Sequence, residues 1–165
     1  MYINKAIDEM KLVFKELPYG IDHTMRVLKN TEEIIKGEAI DDKSIETVKL
    51  AAVLHDVGAI EALGKYGSID GPFQEIEGPP VARNILEPLD VPHETINRVC
   101  YIVGHHHSPS EIDGIDFQIL WEADFLDSLE FGEPVKNRGE LQDKITENFK
   151  TVTGRKLALK RLGFL

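Results

Sequence analysis

Four separated pieces of this chain carry side chains that bind metal ions or move protons: His23, the pair His55-Asp56, the run His105-His106-His107, and Asp124. Imidazoles and carboxylates in this number suit iron, manganese, nickel or zinc better than calcium, which prefers an all-oxygen shell. His23 stands one turn before Val27 and faces inward from the start of its helix, although a lone histidine there is often structural. His55-Asp56 closes the apolar run LAAVL, where an ionisable pair is costly to bury unless paired or metal-bound. Neighbouring helical residues point about 100° apart, so both reach one metal only where the helix frays, which Gly58 permits. Three successive histidines cannot all point inward. His106 continues the stripe of Val99, Ile102 and Val103, His105 follows the line of Arg98 and Tyr101, and His107 is left to solvent or a substrate. Asp124 lies one turn after Leu120 on the core side, with Asp127 on the same face as its rival. A carboxylate amid Trp121, Phe125 and Leu126 demands a cation or hydrogen-bond donors.

Helices must position these groups, because the periodicity is helical almost throughout. A first helix is expected over residues 2–16, stopped by Pro18 and Gly20, and a second from near Ile21 to about Lys36, stopped by Gly37. Asp41, Asp42 and Ser44 can cap a third, which ends at the His55-Asp56 pair and is apolar nearly all round, hence central. Gly58, Gly64, Gly67 and Gly71 mark residues 58–72 as a loop or mobile lid, with Lys65 its only cation. Further helices are expected at about 79–88, 92–104, 114–131 and 137–162, with Pro79, Pro80 and Pro92 as helix starts. His93, just after Pro92, reads as an exposed helix-start residue and no ligand. The expectation is one all-α domain over residues 1–165: a bundle of about six to seven helices, a metal-site core at about 20–130 and a C-terminal helical extension at about 137–162.

The composition, 42% hydrophobic and 29% charged, is that of an ordinary globular domain and is enough for a sizeable core. The formal charge of −10 argues against a polymeric nucleic acid or a membrane surface as partner. An anionic small substrate stays compatible with it, since a bound divalent ion reverses the local field. The locally basic end, with Arg155, Lys156, Lys160 and Arg161, reads first as a solvated helix face. The single cysteine, Cys100, fits a reducing cytoplasm, and no signal peptide or membrane span is visible.

Taken in order, His, His-Asp, His-His and Asp over about a hundred residues of helical sequence, the pieces resemble the HD-domain superfamily of metal-dependent phosphohydrolases. The resemblance puts the family's first histidine on His23, its HD dipeptide on His55 and Asp56, and its late aspartate on Asp124, over roughly residues 20–130. It implies a divalent transition metal (iron, manganese, nickel or zinc) on His23, His55, Asp56 and Asp124. One tight site is expected, with Glu77, His105 and His106 around a second, weaker one. Two departures stand out. Dinuclear members often carry a histidine before a Gly-Ala helix start, where this chain has EIEGPPVARNIL and Glu77. Many members follow the dipeptide with Gly-Lys, where this chain has HDVGA and Ala59, so Lys65, Arg83 or Arg138 would have to meet a phosphate.

The resemblance therefore implies hydrolysis of a phosphorylated small molecule, a nucleotide first, by metal-activated water. Asp56, His105 and His106 are the expected catalytic groups, and Lys65, Arg83 and His107 the expected substrate contacts. Two alternatives follow from the same residues: a di-iron oxygenase, kept open by the histidine run, and a non-catalytic metal-containing sensor domain, favoured by the missing Gly-Lys. A homo-oligomer is compatible with the sequence, but no segment identifies an interface.

Overall fold

The run Leu50–Leu54 has no polar face, and a helix of that kind is stable only when other elements surround it. In the computed structural model, which describes residues 2–165, all five of its side chains are completely buried. The described residues form nine α-helices and no strand: α1 (Tyr2–Val13), α2 (Pro18–Ile35), α3 (Asp42–Leu54), α4 (Ala59–Tyr66), α5 (Gly71–Leu86), α6 (His93–His105), α7 (Ile115–Phe131), α8 (Arg138–Asn148) and α9 (Val152–Arg161). Single turns of 3-10 helix occupy Glu87–Leu89 and Pro109–Glu111. The central helix is α3, packed by α1, α2, α6 and α7.

Around it, α5 lies along α6, α4 rests on α5, and α2 runs beside α7. One apolar core extends through α1 to α7. A smaller one, built on Leu126, Ile145, Phe149 and Ala158, fastens α8 and α9 to the outer side of α7. Asp41 caps α3 as expected, its carboxylate accepting from Ser44 N at 2.7 Å. No helix of the described residues is long and apolar enough to cross a membrane.

The count exceeds the expected six to seven, for identifiable reasons. Pro18 does more than stop the first helix: it is the first residue of α2, where its missing N–H is not needed. The segment 58–72, expected as a loop or lid, contains the ordered helix α4. Among its glycines only Gly67 takes the left-handed conformation, at φ 68°, and it ends α4. Pro79 and Pro80 do not start a helix but lie inside α5. They deny donors to the carbonyls one turn earlier. Packing against α6 compensates: a Cβ on Gly78 would stand 2.7 Å from Val103 Cγ1, so the two helices touch almost backbone to side chain. Residues 137–162 divide into two helices because Thr151 caps α9, its hydroxyl accepting from Gly154 N at 2.9 Å. Buried Glu122 in turn accepts from Thr151 N and Oγ1 at 3.2 and 2.9 Å.

Candidate metal centre

Three helices deliver the residues singled out in the sequence to one point. His23 stands in the second turn of α2, and His55 caps the C-terminus of α3. Asp56 belongs to the turn that follows, and Asp124 sits midway along α7. The helical bonds of α3 give way here to tighter ones, Val57 N to Leu54 O at 3.2 Å and Ala59 N to Asp56 O at 3.0 Å. That tightening lets adjacent His55 and Asp56 both face α2 and α7.

The side chains converge closely. His23 Nε2 lies 3.1 Å from His55 Nε2, 3.2 Å from Asp56 Oδ2 and 3.3 Å from Asp124 Oδ1. His55 Nε2 lies 3.3 Å from Asp56 Oδ2 and 3.6 Å from Asp124 Oδ1. From α6, His106 Nε2 approaches the other oxygen of Asp56 at 3.1 Å. His55 is fully buried, whereas His23, Asp56, Asp124 and the largely buried His106 line a cavity of about 330 Å³.

The outer nitrogens identify the tautomers. His55 Nδ1 is 2.7 Å from Ala52 O, and His106 Nδ1 is 2.8 Å from Val103 O. A carbonyl only accepts, so both Nδ1 atoms carry a proton, and in the neutral ring Nε2 is the atom with the lone pair. His23 Nδ1 faces Asp127 Oδ2 at 2.6 Å, which fixes the same tautomer. In their neutral form the three imidazoles therefore turn acceptors toward two carboxylates, a set in which every inward atom accepts. Only protons or a cation make it stable.

The electrostatics agree. Burial pulls His23 down, but hydrogen bonds to Asp124, Asp127 and Asp56 outweigh it and push its pKa up to about 12. His55, fully buried, is likewise drawn down by burial and then raised to about 10 by the charges of Asp56 and Asp124. Burial alone would raise Asp56 and Asp124; instead His55 and the surrounding imidazoles hold both below the usual carboxylate range. The cluster keeps its carboxylates ionised and attracts positive charge, which is the chemistry of a metal site.

A profile of the HD domain matches residues 20–150. The chain belongs to the HD domain family. Its fold is similar to the 1.45 Å crystal structure of a predicted HD superfamily hydrolase from an uncultured Thermotogales bacterium, with a TM-score of 0.71, 25% identity, and coverage of 98% of this chain and 85% of that one. No curated protein matches. HD domains bind divalent metals, and the His and Asp groups of this one could hold such an ion.

Other residues of this HD domain stand differently from their sequence expectation. A second group able to hold a cation consists of Asp56, His106 and His107, not Glu77, His105 and His106. Glu77 is turned to α4, accepting from Lys65 Nζ at 2.7 Å and Tyr66 Oη at 3.0 Å. That pair lowers the Glu77 carboxyl and occupies Lys65, and neither residue lines the cavity. His105 donates to Tyr101 O at 2.7 Å and packs on the Tyr101 ring, away from the cavity. Arg83 binds Asn97, and Arg138 binds Gly163 O, and neither lines the cavity. His107 does line the cavity, over Gly71, where a Cβ would come within 2.9 Å of its ring. Gly71 is thus a point of close approach rather than a hinge.

Asp127, the sequence rival of Asp124, stands behind His23. It accepts from Arg26 Nε at 2.6 Å as well as from His23, and Arg26 also lies over the Phe131 ring. Such an outer carboxylate orients a metal-binding histidine and holds its tautomer. The three-residue step from Asp124 to Asp127 was the signal; the partner Arg26 carried none. Gln74 was also missed. It lines the cavity with Nε2 tied to Ile69 O at 2.7 Å and Oε1 without a partner among the described residues.

Proposed function

We propose that this HD domain is a metal-dependent phosphohydrolase acting on a phosphorylated small molecule, a nucleotide first. In this reading His23, His55, Asp56 and Asp124 hold one divalent transition metal, iron, manganese, nickel or zinc. The observation that carries it is the convergence of imidazole acceptors and ionised carboxylates on the floor of an open cavity. A divalent ion held there supplies Lewis acidity toward a phosphoryl oxygen and makes water nucleophilic near neutral pH.

The chain's own groups do the rest. Asp127 keeps the His23 ring oriented, and Ala52 O does the same for His55. His106, fixed through Val103 O, presents Nε2 beside Asp56 and can take a proton from water or return one to the leaving oxygen. His107, at the cavity wall, is placed to contact a phosphoryl oxygen. Among the described residues no lysine or arginine lines the cavity, so the substrate's negative charge would be met at the metal floor. A soluble protein of the cytoplasm, with no polymeric nucleic acid and no membrane as partner, is the setting this reading assumes, and a homo-oligomer is compatible with it.

Because Asp56 belongs to both cation-binding groups, a second ion would share it, and a paired-iron oxygenase is the alternative that this sharing favours. Metal analysis of the purified protein followed by a panel of phosphomonoesters and phosphodiesters tests the proposal. Bound metal with phosphoester turnover is the expected result. Two irons per chain with O₂ consumption and no phosphate release would replace it with the alternative.

A further inference from the structure

The cavity above the metal centre has one wall unlike its floor. Trp121 and Phe125, one turn apart on α7, both line it and both are half-buried. Their ring planes are within 13° of parallel, with centroids 6.2 Å apart. Both are held from behind. Trp121 Nε1 donates to Asn148 Oδ1 at 3.2 Å, and Asn148 Nδ2 is anchored on Lys144 O at 2.8 Å. Phe125 meets the edge of buried Phe149 at 6.0 Å. The indole donor is therefore spent, and what the wall offers a ligand is ring surface in a fixed orientation. With no lysine or arginine among the described residues that line the cavity, this ring surface is what it offers the uncharged part of a substrate.

Resting on the phosphohydrolase reading, we infer that Trp121 and Phe125 form a stacking wall for a nucleobase, so that the substrate class is a mononucleotide and not a sugar or polyol phosphate. Parallel rings accept a planar aromatic group on their faces, and such stacking is tolerant of which base is presented. A cavity of about 330 Å³ lies at the small end of ligand sites, suited to one nucleotide unit and not to a longer chain. Asn148 is then a positioning residue: it touches the indole and not the ligand. The small core of α7, α8 and α9 acquires a role in recognition, since it supplies both supports of the wall.

Trp121 is the single tryptophan of the chain, so its fluorescence reports on this wall alone. The full-length protein with its metal is titrated with adenosine 5′-monophosphate and, separately, glycerol 3-phosphate. Excitation is at the red edge of the indole band, with calorimetry in parallel. Saturable quenching is expected with the nucleotide, at a Kd about tenfold or more below that of glycerol phosphate, a factor equivalent to about 1.4 kcal/mol. Trp121→Ala should bring the two affinities together, Trp121→Phe should keep part of the preference, and Asn148→Ala should weaken the nucleotide alone. A structural role for Trp121 would lower Tm but leave the ratio of affinities intact. Equal affinities in the unmodified protein, or an unchanged ratio in Trp121→Ala, would overturn the inference. The wild-type titration decides if the variants do not fold. Nucleotide quenching without turnover of any phosphoester would sink the hydrolase reading and leave this one standing. Indiscriminate turnover of phosphoesters with no quenching would do the reverse.

Discussion

Two carboxylates on α7 stand two residues apart and have opposite fates. Asp124 faces α2 and α3, where His55 and His23 overcome the penalty of burial and hold it ionised. Glu122 faces α9, and there burial dominates: only Gln118 and Thr151 donate to it, Glu38 adds like charge, and its pKa rises to about 7. Both are acids on one helix, Glu122 fully buried and Asp124 half-buried, and in sequence they differ by one methylene and a phase of two residues. What separates a chemical group from a structural one is the set of partners that other helices bring. Asp124 meets imidazoles whose inner nitrogens point at it; Glu122 meets the capped start of a helix, where an uncharged acid also serves.

The sharpest way to break this contrast is to remove a ligand on the Asp124 side. His55→Ala and Asp56→Ala are each expected to abolish both bound metal and phosphoester turnover, read by metal analysis and phosphate release. Full occupancy in either variant would end the assignment. His93→Ala, at the exposed first turn of α6, should leave both unchanged.

A smaller effect is expected one layer out. Asp127→Asn keeps the shape but weakens the orientation of His23, and metal affinity should fall roughly 10–100-fold, as measured by competition with a chelator. An unchanged affinity would mean that the Arg26–Asp127–His23 chain serves the fold alone.

On the Glu122 side the expected change is in stability. A carboxyl whose pKa is higher folded than unfolded favours the fold while it is protonated. Its contribution is complete below about 4.5 and lost as pH rises through about 7. The shift corresponds to at most roughly 3 kcal/mol. Glu122→Gln should therefore flatten the decline in stability across this window, measured as Tm against pH for variant and parent, with metal content unaltered. Parallel curves for the two proteins would refute the shift.

The smallest effect is expected at Lys65. Its ammonium is held by Glu77 away from the cavity, so Lys65→Ala should leave both metal content and KM as they are. A raised KM would show that the Lys65–Glu77 pair opens to meet phosphate, as the sequence first suggested.

The sequence was most legible where one face of one helix decides the outcome. The inward phase of His23, the position of His55-Asp56 at the end of a helix apolar all round, and the Asp41 cap all follow from local spacing, and the structure has them there. The bundle itself was legible for the same reason. What could not be read is partner choice across long separations. Nothing in the local pattern distinguishes a free Lys65 from one held by Glu77, or shows that His105 turns onto Tyr101 and not to the cavity. Pro79 and Pro80 misled because local propensity was overruled by the packing of α5 on α6. The glycines of 58–72 misled because only Gly67 needs its conformational freedom, while Gly71 is small for the sake of His107.

The spacing of the cluster also orders events in time. During synthesis His23 and then His55-Asp56 leave the ribosome long before Asp124, about a hundred residues behind the first. Until α7 has been made and has docked against α2 and α3, the cluster lacks one of its carboxylates, and the Asp127 that holds His23 is missing too. Contacts across so long a loop form late, because closing the loop must precede any gain from the contact. On the proposed metal-binding reading, capture of an ion thus waits until α7 has docked. An ion held there would be chosen by an assembled cage, not by whichever histidines emerge first.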